Sequence, residues 1–319
     1  MSDWLRSSFF SMPFVKYQLW HSQTLITLLA VVGAAWTLIE VSTFFEPCIG
    51  VWIRDSLGLV LFLVATLLIT AFFRRARTVV IRSLDGRDVK ICVKVGDILS
   101  EKASCVIPTN TTFDTKVPEI ISPKSTQGSF TRRFYDAVEY LDADIEGGLT
   151  GIEFKDISSD VGRQGKTKRF PMGTVVEVSP KSRKFYLLAM ADMSAKGAAK
   201  SSLECVSASL VGLWAHFGTA GNYEEELVIP VIGSGRGRLS ETREEIIREM
   251  IDSFVVANSE AKVCEKLTIV VFEEDFWQHG ISMHDIEEYL DYVCKFHNHA
   301  RPPESASGVG LGLDSGIAT

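Results

Sequence analysis

Val228-Ile229-Pro230-Val231-Ile232-Gly233-Ser234-Gly235-Arg236-Gly237-Arg238, followed by Leu239 and Ser240, is the stretch from which the fold of this chain can be read. An apolar β-branched run ends in three glycines within five residues, and a helical pattern follows from Ser240 to Asn258. A buried strand joined to a helix by a glycine turn is the basic connection of an α/β sheet. Glycine lets the backbone approach an anion closely, and the free N–H groups and dipole of the helix that follows favour negative charge. The turn therefore suits a phosphate, with Arg236 or Arg238 able to add a charge-assisted contact. A plain tight turn is the alternative. It is the weaker one, because Ser240, with Arg243 and Glu244 behind it, already reads as a helix cap.

Outward from this stretch the texture is the same. Strands are expected at 78–82, 89–95, 105–109, 174–178, 184–189, 227–232 and 267–272, and helices at 129–141, 200–217, 240–258 and 283–297. Their interleaving predicts an α/β fold, a mixed sheet with helices on both faces. Residues 147–171, rich in Gly, Ser and charge, read as a long loop, and 301–319 as a disordered tail. The acidic runs Glu224–Glu226 and Glu273–Asp275 read as solvated loops.

In such a sheet ligands bind beyond the carboxyl ends of the strands. Gly96-Asp97-Ile98 follows one strand, and Asp97 there can accept from a base amino group or begin an ordinary turn. Thr109 and Asn110 end another strand, and Gln127-Gly128 opens a helix. Those positions suit ribose and phosphate contacts and equally suit plain capping. The order of these features, closed by Ile232-Gly233-Ser234-Gly235, resembles the macro domain family over roughly residues 89–275. That resemblance implies a fold binding ADP-ribose or its derivatives. Asp97 and the Ile98 backbone would hold adenine, and Asn110 would face the distal ribose, beside Thr109. Gln127-Gly128 and Gly233, Ser234, Gly235, Arg236 and Gly237 would form the two phosphate loops. Phe272, or else Phe276, would stack near the base. Hydrolytic members carry a glycine run soon after the asparagine, whereas this chain has Thr111-Thr112-Phe113-Asp114-Thr115-Lys116. The expectation is a binding pocket with no catalytic residue, no metal and no cofactor.

The first 77 residues differ in kind. A mean hydropathy of +0.14 comes from two apolar runs, Leu25 to Phe45 and Leu57 to Phe73. A membrane span needs about 17–25 mostly apolar residues, so both qualify, at about 25–45 and 55–73, the second narrowly. The first is too long for a signal peptide and lacks a small-residue cleavage site. Arg6 and Lys16 precede the pair, Arg74, Arg75 and Arg77 follow it, and the loop between holds only Arg54. Positive charge stays inside, so both termini are expected in the cytoplasm, with the sensing domain at 78–300. Glu40 either makes a polar contact between helices or reaches the headgroups from near a helix end. Gly33, Ala34 and Ala35 form a small-residue patch where another helix can approach.

The net charge of -7 gives no footprint for nucleic acid. Six scattered cysteines, Cys48, Cys92, Cys105, Cys205, Cys264 and Cys294, lack metal or disulfide spacing and fit a reducing compartment. Cys92, Cys105 and Cys205 read as small core residues. Two spans joined to a macro-like domain are similar in architecture to the membrane effectors of type II Thoeris antiphage systems. The resemblance implies a protein of the bacterial inner membrane. It implies a partner TIR-domain enzyme that makes a histidine-linked ADP-ribose signal from NAD, ligand-induced homo-oligomers, and damage to the lipid bilayer. A membrane-anchored hydrolase of ADP-ribosylated targets or NAD-derived nucleotides is the alternative.

Overall fold

The structure is a computed structural model that describes residues 22–46, 56–73, 78–160, 165–193, 199–200, 202–218, 222–233 and 241–296. The tail at 301–319 and most of the glycine turn, Ser234 to Ser240, lie outside the described residues.

Among the described residues two apolar helices come first, α1 (Ser22–Phe45) and α2 (Ser56–Phe73). They form a hairpin in which Trp36 meets Phe62 edge to face at 6.3 Å. Gly58, Thr66 and Thr70 of α2 are buried, spaced along one stripe of the helix. The two threonine hydroxyls donate to Leu63 O and Thr66 O of their own helix, so little polarity is left on that stripe. Of the Gly33–Ala35 patch only Ala35 is half-buried, and Glu40 is exposed. Most other side chains of the hairpin are exposed apolar groups.

The sheet is eight-stranded and mixed, in the order β1-β2-β10-β9-β3-β7-β6, with β8 on β7. In chain order the strands are β1 (Val79–Ser83), β2 (Lys90–Val95), β3 (Ser104–Asn110), β6 (Val175–Val178), β7 (Phe185–Met193), β8 (Ala199–Lys200), β9 (Glu224–Pro230) and β10 (Cys264–Val271). The five central strands are parallel, and β1, β6 and β8 are antiparallel. Alternation sends Val106, Tyr186, Leu188, Leu227, Ile229, Leu267 and Ile269 into one core and Cys105, Ile107, Phe185, Leu187, Val228 and Val270 into another. The first core lies under α5 (Leu203–Gly218), α6 (Arg243–Glu260) and α8 (Met283–Phe296). The second lies under α3 (Thr126–Phe134) and α4 (Val138–Gly148). Helices thus cover both faces, as expected.

Local expectations needed correction where side chains compete for the backbone. The helix expected at 129–141 is two helices, α3 and α4, separated by extended Tyr135 and Ala137. Residues 147–171 contain the end of α4 and a two-stranded ribbon, β4 (Lys155–Asp156) with β5 (Lys168–Arg169). Helix α6 is capped by Thr242, whose hydroxyl accepts from Glu245 N while Glu245 returns to Thr242 N. That reciprocal pair satisfies two orphan donors, which Ser240 two residues earlier would not. Glu224 and Glu226 are in β9, tied to Lys184 at 2.8 Å and Lys266 at 2.8 Å. Glu273 to Asp275 form the first turn of α7 (Glu273–His279), where acidic residues complement the helix dipole. Cys205 is half-buried, whereas Cys92 and Cys105 are core residues.

Candidate functional site

All five parallel strands end on the same edge of the sheet, and a cavity of about 550 Å3 opens there. That volume accommodates a dinucleotide-sized molecule. Gly96 follows β2, Phe272 follows β10, Val231 and Gly233 follow β9, and Asn110 and Ala191 belong to β3 and β7. The segment leading into α3 adds Ile120, Ser122, Lys124 and Ser125, and α7 adds Glu274, Asp275 and Gln278.

The residues picked from the sequence divide three ways. Asp97, Ile98, Thr109, Asn110, Gln127, Gly233 and Phe272 line the cavity. Gly128 does not line it. Ser234, Gly235, Arg236 and Gly237 lie outside the described residues.

Asp97, Asn110 and Gln127 are held by their own neighbours. Asp97 caps a short helical turn (Ile98–Ser100), accepting from Leu99 N at 3.0 Å and from Ser100 Oγ at 2.8 Å. Arg133 reaches the same carboxylate at 3.3 Å. Phe272, more than half exposed, immediately precedes α7, whereas Phe276 is buried in the core. The thiol of Cys105, beneath Ile98, is pushed up to about 12 by burial, so it stays protonated and serves packing.

Asn110 is the most committed. Its Oδ1 accepts from Thr112 N at 3.1 Å and Asp114 N at 3.0 Å. Its amide donates to Asp114 Oδ2 at 3.2 Å. Residues 111–115 are all buried by this knot, with Phe113 at φ 48 and its ring 5.8 Å from Phe170. A bulky residue in that left-handed region is strained by about 1–3 kcal/mol, so the packing around it must fix the conformation. Gln127 Nε2 adds a bond to Asp114 O at 2.6 Å. The lining at Asn110 and Gln127 is therefore preorganised by Asp114, a residue the sequence reading did not weigh.

Gly128 is packed tightly behind the cavity wall. Its N–H donates to Ser125 Oγ at 3.0 Å, and a Cβ there would collide with the Ser122 carbonyl oxygen. The cavity wall at Ser122 and Ser125 thus rests on Gly128 from behind. The wall residues of α7 were also missed. The signal was present in Glu273-Glu274-Asp275, since acidic residues directly after a strand commonly open a helix.

Chemically, the cavity offers the carboxylates of Asp97, Glu274 and Asp275 as acceptors for an amino group. It offers Lys124 and the hydroxyls of Ser122 and Thr126 as donors for anionic oxygens. Phe272 supplies an aromatic face.

No curated protein matches the chain significantly. Among solved structures, a mutant of the Oceanobacillus iheyensis macrodomain is 14% identical, with a TM-score of 0.46 over 68% of this chain and 100% of that one. The same macrodomain with ADP is 13% identical, with a TM-score of 0.46 over 69% and 99%. A Trypanosoma brucei macrodomain in complex with ADP-ribose is 8% identical, with a TM-score of 0.40 over 59% and 66%. The family model described as "Thoeris protein ThsA, Macro domain" matches residues 91–272. That match runs from β2 to Phe272, takes in every strand end that lines the cavity, and spans more than half of the chain: the protein belongs to the Thoeris ThsA macro domain family.

Proposed function

We propose that this chain is a membrane-anchored receptor of bacterial antiphage defence that binds an ADP-ribose-derived signal and does not turn it over. The observation that carries the reading is the strand-end cavity, which lies within the stretch matched by the Thoeris macro family and is large enough for a dinucleotide. Histidine-linked ADP-ribose, made from NAD by a partner TIR-domain enzyme, is the ligand this architecture suggests. Binding without hydrolysis is supported by the knot at 111–115. Where hydrolytic relatives would place glycines against the ligand, this chain buries five residues and leaves Asn110 hydrogen-bonded to its own loop.

The anchor is α1 with α2. Thr24–Phe45 is long and apolar enough to cross a bilayer, with a mean hydropathy of 2.0, and Leu57–Phe73 is the shorter apolar partner. An 18-residue helix such as α2 rises about 27 Å, close to the hydrocarbon thickness of about 30 Å. The protein is then a two-span protein of the inner membrane with both termini in the cytoplasm, and ligand drives its self-association and membrane damage.

Calorimetry of the detergent-solubilised chain with ADP-ribose and its histidine-linked derivative, followed by chromatography of the nucleotide, tests the first part. Saturable heat with intact nucleotide is expected, and Gly235→Trp should abolish it by blocking backbone approach to the diphosphate. Released products would establish the hydrolase instead. No binding of any ADP-ribose derivative would remove the receptor reading.

A further inference from the structure

We infer that the ligand-bearing edge of the sheet faces the bilayer, so that the cavity opens towards the lipid headgroups rather than away from them. The inference deepens the membrane-anchor reading and rests on α2 being a span.

Strand β1 runs antiparallel to β2, with Val79 opposite Lys94 and Ser83 opposite Lys90. The amino end of β1 therefore lies at the carboxyl end of β2, the edge where the cavity opens. The register is tight at that point. Val95 N donates to Thr78 O at 2.8 Å, and Gly96 N donates to Val271 O at 2.9 Å. Thr78, where the chain enters the domain, is thus one residue from Gly96, a cavity residue, and one strand from Phe272, another.

Covalent length then fixes which edge can lie near the membrane. Helix α2 ends at Phe73 and β1 begins at Val79. The helix needs nearly its whole length to cross, which puts Phe73 at the headgroups. From Phe73 to Thr78 the backbone can reach at most about 18 Å. The opposite edge of the sheet lies a further strand away, about 16 Å along the five residues of β1. Turning that edge to the bilayer would consume the whole linker in running back along β1. Helix α8, clamped to β1 by Arg82 on Glu287 at 2.7 Å and on Asp291 at 2.6 Å, covers one face of that strand and narrows the route. The crest with the cavity is therefore the membrane-proximal one.

A fluorescent non-natural amino acid placed singly in the full chain tests this in vesicles containing nitroxide lipids. Val64 reports the span, Glu273 the cavity crest, and Asp88, in the turn before β2, the opposite edge. The expected result is quenching of Val64 by acyl-chain nitroxide, with headgroup nitroxide quenching Glu273 several-fold more than Asp88. Val64 quenched together with Asp88 quenched as much as Glu273, or more, would overturn the orientation and leave the span standing. An unquenched Val64 would overturn the span and the orientation with it.

Discussion

Asn110 shows how a residue can be found in a sequence while the neighbours that hold it in place stay hidden. Its place at the end of a buried strand was legible from the run Val106-Ile107-Pro108-Thr109, but the two backbone hydrogen bonds that it accepts depend on a loop whose turn nothing in the sequence announces. Truncation to alanine would orphan the buried N–H groups of Thr112 and Asp114, at about 1–3 kcal/mol each. Thr112 Oγ1 would keep its bond to Asp114 Oδ2 at 2.6 Å. Asn110→Ala should therefore lose about 2–6 kcal/mol of stability along with ligand affinity, and thermal melting of the detergent-solubilised chain measures it. A variant that binds poorly but melts like the parent would show that Asn110 serves the ligand alone. Gly128 carries the second residue-scale prediction. Alanine gains about 1 kcal/mol in helix propensity but overpacks against a backbone oxygen, which costs about 1–3 kcal/mol. Gly128→Ala should be mildly destabilising. It should also weaken binding through displacement of Ser122, whereas a more stable variant with parental affinity would mean that the wall yields freely.

Secondary-structure elements were readable wherever burial imposes a period. Seven of the eight strands followed from apolar runs, because a sheet covered on both faces selects apolar residues, whereas β8 was missed and its Lys200 was placed in the helix expected at 200–217. Ends and breaks were not, since they turn on single side chains, such as Thr242 rather than Ser240 at the start of α6. The acidic start of β9 is the clearest case of charge misleading composition. Glu224 accepts from Lys184 at 2.8 Å, Tyr186 Oη at 2.6 Å and Ser104 Oγ at 2.8 Å, joining three strands at the edge away from the cavity. Burial works to raise its pKa, but those three bonds outweigh it and hold the carboxyl below the usual range. A lowered folded value stabilises the protein above the unfolded pKa of about 4.3 and is lost as pH falls through the folded value. Glu224→Gln should cost about 1–2 kcal/mol at neutral pH, and the gap from the parent should close below about pH 4. Denaturation at both pH values checks this, and an undiminished gap in acid would assign the effect to shape rather than charge. His216, whose pKa burial lowers, adds a separate loss that sets in below its unfolded value of about 6.5.

At the scale of the whole molecule, a receptor can act on a membrane only if ligand favours one state of the protein over another. The hairpin gives this requirement physical form. Its two helices share a narrow stripe around Trp36, Phe62, Thr66 and Thr70, and most of the remaining apolar surface, with Glu40 on it, is exposed. A carboxylate there is costly against lipid and cheaper against other helices or water, so it favours assembly over isolated hairpins. On the proposed reading, a ligand at the crest would sit one hydrogen-bonded residue from Thr78, where it would bias how neighbouring domains meet at the bilayer. The expected outcome is that an ADP-ribose-type signal raises the oligomer size of the full chain and releases dye from vesicles carrying it. Glu40→Leu should keep ligand affinity, because it lies outside the macro domain, yet lower the leakage several-fold. Saturated binding with unchanged size and no leakage would leave a tethered binder. Full leakage from the Glu40→Leu protein would move the polar contact that drives assembly out of the spans and into the domains.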